Sequence, residues 1–159
     1  MSRRIHFKKT GRELAMQFLF QYDMNDGNFE DADLIRFFRQ LDESGTYEES
    51  RELRRAKKFT SKIINGVIQN ITEIDNKIQE YISEDWSWTR VSAIDKCILR
   101  LSTYEMLFDE SVPPIVSINE AVDLSKKFGS ETSRSFVNGL LNSIKNSLKR
   151  DPRNINNNA

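Results

Sequence analysis

The sequence has very few side chains that could form crosslinks or bind a metal. It contains one cysteine, Cys97, and one histidine, His6. A single cysteine cannot form a disulfide within the chain, and together with one histidine it leaves too few ligands for an ordinary zinc site. We therefore expect no metal, no other cofactor and a reducing, cytoplasmic compartment, with Cys97 as a small apolar residue packed in a helix.

Long apolar runs are also missing. No run approaches the roughly 20 residues needed to cross a bilayer, and the N-terminus lacks the apolar block of a secretion signal. The basic start is similar to an organelle transit peptide, but Glu13, Asp23 and Asp26 follow it too soon. We expect a protein that is neither secreted nor inserted in a membrane.

No catalytic motif is present in the sequence. It has no glycine-rich phosphate loop, no Gly-x-Ser-x-Gly and no second histidine. Its Asp and Glu residues fall at polar helix positions or in acidic loops, where a solvated surface is the ordinary explanation. The sequence predicts a binding protein rather than an enzyme.

Apolar residues recur at three- and four-residue steps along nearly the whole chain, which indicates amphipathic helices. No segment alternates with a period of two, so the sequence predicts an all-α fold with about seven helices in two packed helical sub-bundles. The predicted helices cover about residues 14–22, 34–41, 48–67, 71–82, 91–108, 118–128 and 136–148.

We expect one globular domain over residues 1–150. The loop at 84–90 would separate an N-terminal half of about 1–83 from a C-terminal half of about 91–150. The asparagine-rich residues 151–159 are predicted to be disordered.

Helix ends are marked by short local signals. Ser92 with Asp95 and Ser117 with Glu120 have the spacing of capping boxes, so each pair predicts a helix start. Gly129 suits a left-handed residue at a helix end.

Positive charge is concentrated at the N-terminus, although 24 basic and 24 acidic residues give a net charge of zero. Arg3, Arg4, Lys8, Lys9 and Arg12 all precede the first acidic residue of the chain. Such side chains can neutralise phosphates, and arginine can also stack on unpaired bases. Composition leaves two alternatives open: a grip on nucleic acid, or a frayed and solvated end without a partner.

Three further features have two interpretations each. Phe20 lies off the apolar stripe of the first helix, so it either stacks on a base or is buried by packing on both helix faces. The basic run from Arg51 to Lys62 is either a functional patch or a solvated face with internal ion pairs. Trp86 and Trp88 either anchor a partner protein or join the two halves.

Four segments together resemble the family of the bacterial transcription antitermination factor NusB, and the resemblance covers most of the chain. They are GRELAMQFLFQY at 11–22, IDKCILRLSTYEM at 94–106, VSINEAVDLSKKFG at 116–129 and SRSFVNG at 133–139. All four occur in the order found in the family.

The resemblance implies a function as well as a NusB-like fold. It implies binding of single-stranded boxA RNA in nascent ribosomal RNA transcripts, together with ribosomal protein NusE, in a complex that helps RNA polymerase resist termination. It also implies an acidic contact to NusE at Asp95. The RNA-contacting positions that it implies are Arg4, Lys8, Lys9, Arg12, Phe20 and the start of the seventh helix, with Thr132, Arg134 and Phe136.

This chain departs from the family pattern at its N-terminus. Family members run several arginines together, whereas here the basic residues are spread out, with Lys8 and Lys9 among them. Lysine lacks the planar fork of arginine and would act as a point charge.

Two other functions are compatible with a helical chain of this kind. A related helical domain occurs ahead of ribosomal RNA cytosine methyltransferases, but this sequence ends at Ala159 without a cofactor-binding segment, which disfavours an enzyme. The other rival is a protein-protein adaptor whose basic segment does not contact RNA.

Overall fold

A computed structural model describes residues 5–83 and 87–148 of the chain. Over these ranges the regular structure consists of helices, with no strand, so the predicted all-α fold with about seven helices is confirmed. Arg3, Arg4, Trp86 and the tail 151–159 lie outside the described residues. The α-helices are α1 (Phe7–Met24), α2 (Asp31–Ser44), α3 (Arg51–Gln69), α4 (Ile71–Gln79), α5 (Ala93–Phe108), α6 (Pro114–Phe128) and α7 (Ser133–Ser147).

The chain divides into two compact units, Met1–Asn65 (unit 1) and Gly66–Ala159 (unit 2). The division falls inside α3, whereas the sequence suggested a boundary in the loop at 84–90. The reason for the difference is α4, which packs against α5 and α7. Asp75 of α4 also forms an ion pair with Arg100 of α5, so α4 belongs with the C-terminal helices.

The core of unit 1 forms around the apolar stripe of α1. Phe18 lies edge-on to two other rings, with centroid distances of 5.8 Å to Phe29 and 5.5 Å to Phe37. Edge-to-face pairs add to the stabilisation that comes from burying the rings. Leu14 and Leu19 of the same stripe are fully buried, and so one face of α1 is held against the rest of the unit.

A glycine lets α1 and α3 approach closely. A Cβ atom at Gly11 would lie 2.7 Å from Cδ1 of Phe59 and 3.1 Å from the carbonyl oxygen of Ala56. The Thr60 hydroxyl donates to the carbonyl oxygen of Gly11 across 2.8 Å. The start of α1 is therefore fixed beside the first half of α3.

The same arrangement recurs in unit 2, where Gly66 makes room for Tyr104. A Cβ atom at Gly66 would overlap the Tyr104 ring, which belongs to α5. Burial raises the pKa of the Tyr104 phenol, and the nearby carboxylates of Asp109 and Glu105 raise it further. Cys97 is fully buried on the same helix, which agrees with a packing role.

One predicted helix start is confirmed and the other is wrong. The Ser92 hydroxyl accepts a hydrogen bond from the Asp95 amide at the start of α5. Ser117, by contrast, lies inside α6, because that helix already begins at Pro114. Proline is well suited to the first helical position, where its missing amide has no partner to lose. The Ser117 hydroxyl instead donates to the buried Glu105 carboxylate across 2.9 Å.

The left-handed conformation predicted for Gly129 is also wrong. Its φ of −91° and ψ of −177° place it in the extended region. A Cβ atom there would lie 2.6 Å from Cβ of Ser133 and 2.8 Å from the carbonyl oxygen of Ser125. Close packing, rather than backbone handedness, requires glycine at this position.

Residues 5–83 and 87–148 contain neither a membrane-spanning helix nor a cluster of metal ligands. In those residues no helix has the length and apolar character needed to cross a membrane. The same part of the chain brings together no group of three or more His, Cys, Asp or Glu side chains that could hold a metal ion.

Candidate nucleic-acid interface

The basic N-terminal segment is partly helical, because α1 begins at Phe7. Lys8 and Lys9 lie in its first turn, and both are exposed. This turn contains no acidic residue, and within the described chain the N-cap residue His6 makes no side-chain capping bond. A helix N-terminus carries partial positive charge and unpaired amides, so it attracts anions. Two lysines add full charges at the same place.

Arg12 lies in a different environment from the one expected of a phosphate contact. The residue is only 3% exposed. The guanidinium carbon lies 5.4 Å from the centre of the Phe59 ring, within the range of a cation–π interaction. Burial of Arg12 favours a role in holding α1 against α3 over direct contact with RNA.

Phe20 is half-buried on α1, while its neighbours Phe18 and Leu19 are buried. Part of its surface therefore contacts solvent. Its role as a stacking platform stays a prediction.

The three predicted RNA contacts in unit 2 cluster at the start of α7. Thr132 precedes the helix, and Arg134 follows in its first turn; both are exposed. Phe136 is half-buried. Ser133 lies between Thr132 and Arg134. Its hydroxyl accepts a hydrogen bond from the Ser130 amide, which fixes the turn that leads into α7. A cation and a ring are the two kinds of side chain that bind a single-stranded nucleotide, although two positions that are two residues apart in a helix do not face each other.

Asp95, the predicted contact to a partner protein, lies in the first turn of α5 and is 8% exposed. Its Oδ1 atom is buried, and within the described residues it has no hydrogen-bond partner. A buried carboxylate oxygen without a donor is energetically unfavourable.

Trp88, the described member of the tryptophan pair, is half-buried. The Lys96 ammonium lies 5.1 Å and the Arg100 guanidinium 5.4 Å from the centre of its ring.

Phe7 is the residue that sequence reasoning missed. Its ring lies 6.0 Å from that of Phe59, edge to face, and the Arg55 guanidinium lies 4.0 Å from its centre. The available signal was an aromatic residue directly before Lys8 and Lys9, since basic and aromatic residues alternate in many nucleic-acid-binding surfaces. The structure brings the first turn of α1 and the basic run of α3 together.

Comparison with known proteins identifies the family. The NusB family model matches residues 9–146. The transcription antitermination protein NusB of Clostridium novyi (strain NT) is 36% identical over 137 residues, covering 86% of this chain and 96% of the relative. NusB of Geobacter sp. (strain M21) is 37% identical over 139 residues, covering 86% and 92%.

Solved structures agree with this result. T. maritima NusB is 33% identical, with a TM-score of 0.73, and covers 92% of this chain and 94% of that one. A crystal structure of the antitermination factors NusB and NusE in complex with dsRNA matches at 26% identity and a TM-score of 0.71, covering 89% of this chain and 98% of that one. The resemblance seen in the four sequence segments is confirmed, and the chain belongs to the NusB family.

Proposed function

We propose that this protein is a transcription antitermination factor. It binds boxA RNA in nascent ribosomal RNA transcripts together with NusE, and the complex helps RNA polymerase resist termination in the bacterial cytoplasm. The observation that carries the RNA part of the proposal is the first turn of α1, where exposed Lys8 and Lys9 coincide with a helix N-terminus that has no acidic residue.

The chemistry of this turn suits a phosphate backbone. Helix amides and the macrodipole favour an anion at the N-terminus, and each lysine can neutralise a phosphate. Arg3 and Arg4 precede this turn in the sequence, and we propose that they extend the same electrostatic contact. We propose Phe20, Thr132, Arg134 and Phe136 as the further contacts that act on bases.

The proposed activity is binding without a chemical step. The relatives reported above are antitermination proteins, and one related structure contains NusB, NusE and RNA. Binding energy alone is enough for such a factor, because its effect comes from assembling a complex on a transcript.

We propose Asp95 as the contact to NusE. Asp95 keeps 8% of its surface exposed, and hydrogen bonds from a partner to a charged carboxylate are stronger than neutral ones. Trp86 and Trp88 are proposed as further anchors at the same interface, since tryptophan is enriched among residues that dominate binding energy.

Asp95→Asn tests the partner contact while keeping the shape of the side chain. We expect about a tenfold loss of affinity for NusE, because an amide forms weaker hydrogen bonds than a carboxylate. RNA binding by the protein alone should not change. Isothermal titration with purified NusE, and fluorescence anisotropy with a boxA RNA, measure the two affinities.

The matched control is Asp123→Asn, which removes one negative charge from an exposed position of α6; it should leave NusE affinity unchanged. If wild type and Asp95→Asn bind NusE with equal affinity, Asp95 does not contact NusE. If the protein binds NusE but binds RNA neither alone nor in the presence of NusE, the result would instead support the function of a protein-protein adaptor.

A further inference from the structure

Unit 1 contains an open groove between the start of α1 and the first half of α3. It has a volume of about 500 Å³ and is lined by Phe7, Arg55, Lys58, Phe59 and Lys62. The two aromatic rings pack edge to face, and the carbon of the Arg55 guanidinium lies 4.0 Å from the centre of the Phe7 ring. The walls of the groove are almost wholly apolar, because they consist of the two rings and the carbon atoms of Arg55, Lys58 and Lys62.

The cations of this groove belong to one face of α3, which also carries Arg51 outside the groove lining. Arg51, Arg55, Lys58 and Lys62 follow each other at steps of four, three and four residues, which is the repeat of a single helix face. From Arg51 to Lys62 the helix rises roughly 16 Å. This length is enough to follow several nucleotides of an extended strand.

Acidic side chains near this face compensate only part of its charge. Glu52 lies 3.6 Å from Arg55, and Glu49 lies 2.7 Å from Arg54, which is 63% exposed. Exposed pairs of this kind are weak and are screened by salt. Within the described residues, Arg51 and Lys58 have no ion pair.

The combination of rings and cations favours RNA over an acidic peptide. An acidic peptide requires cations alone, whereas a single strand offers phosphates for the cations and flat bases for the rings and the guanidinium. The groove is also continuous with the first turn of α1, because Phe7 belongs to that turn and the Lys8 ammonium lies 5.9 Å from its ring.

We propose that this groove binds nucleotides that flank the boxA element. Phosphates contact Arg51, Lys58 and Lys62, and a base stacks in the space formed by Phe7, Arg55 and Phe59. This inference rests on the proposed function, because it extends the RNA path from the first turn of α1 along α3.

The test compares two single-stranded RNAs, one limited to the boxA element and one with nucleotides added at both ends. Fluorescence anisotropy measures their affinities for wild type and for the double variant Arg51→Gln/Lys58→Gln. Wild type should bind the longer RNA more tightly. The double variant should lose about fivefold in affinity for the longer RNA and less than twofold for the shorter one, because it lacks two phosphate contacts outside boxA.

A matched control removes two exposed arginines from α2 of the same unit, as Arg36→Gln/Arg39→Gln. It lowers the net charge equally and should leave both affinities within twofold of wild type. An equal loss of RNA affinity in both double variants would mean that the effect is general electrostatic attraction. It would contradict the proposal that the groove binds RNA.

The remaining outcomes separate this inference from the proposed function. If wild type binds both RNAs equally well, or if the α3 double variant discriminates between them as wild type does, the groove is not an RNA site, but boxA binding stands. If wild type binds neither RNA, with or without NusE, the proposed function fails and the groove fails with it.

Discussion

Two groups of cations, one in each unit, lie in contrasting environments. In unit 1 the cations of the first turn of α1 and of the basic face of α3 are mostly exposed, and their ion pairs lie at the surface. In unit 2 Arg100 is 7% exposed on its side chain, and Asp75 accepts two hydrogen bonds from it, both 2.9 Å long. The environment of a cation, rather than its type, decides whether it is available to a ligand.

Arg12 shows why this distinction has to be made residue by residue. It lies in unit 1 and in the basic N-terminal segment, yet it is buried against Phe59. By environment it resembles Arg100 more than it resembles Lys8 or Lys9. The basic segment therefore has an exposed part, Lys8 and Lys9, for which we propose RNA contact, and a buried part, Arg12, that packs against Phe59.

The largest effect is expected from Asp75→Ala. This change leaves the buried Arg100 guanidinium without its bidentate carboxylate, and breaking such a pair typically lowers the free energy of unfolding by about 3 kcal/mol or more. Urea denaturation followed by circular dichroism measures the loss. On the same helix, Lys77→Ala breaks a surface pair with Glu80 and should change the free energy of unfolding by about 0.5 kcal/mol or less. Similar losses in the two variants would contradict the buried role of Arg100.

A smaller effect is expected from Arg12→Gln. The change removes the cation from the Phe59 ring and buries a shorter polar group, which should lower the free energy of unfolding by about 2 kcal/mol. RNA affinity, measured at a temperature where the variant is folded, should change less than twofold. Arg54→Gln at an exposed position serves as the control and should leave stability within about 0.5 kcal/mol. An unchanged stability combined with lost RNA binding would place Arg12 among the RNA contacts.

The helices could be predicted from the sequence because their signals are local. Apolar periodicity located all seven, and the predicted division between the third helix at 48–67 and the fourth at 71–82 is confirmed, with α3 ending at Gln69 and α4 beginning at Ile71. The Ser92 cap is equally local. Packing between helices could not be predicted in this way. Gly66 contacts Tyr104, and Ser117 donates to Glu105, but the residues next to each in the sequence do not indicate these partners.

The candidate site was predictable only in part, for the same reason. The concentration of charge in the N-terminal segment is visible in the sequence, and it predicts Lys8 and Lys9 as candidate contacts. Burial of Arg12 depends on Phe59, and the groove depends on Phe7 meeting α3. Those contacts join residues more than 40 positions apart, and no spacing rule within α1 indicates them.

The central claim is that the exposed cations of the first turn of α1 contact phosphate while taking little part in the fold. The most direct measurement is the salt dependence of boxA RNA affinity for wild type and for Lys8→Gln/Lys9→Gln. Each phosphate contact on a single strand contributes about 0.7 to the slope of log affinity against log salt. The double variant should therefore reduce the slope by about 1.4 and leave the free energy of unfolding within about 0.5 kcal/mol of wild type. An unchanged slope, or a large loss of stability with it, would contradict the account.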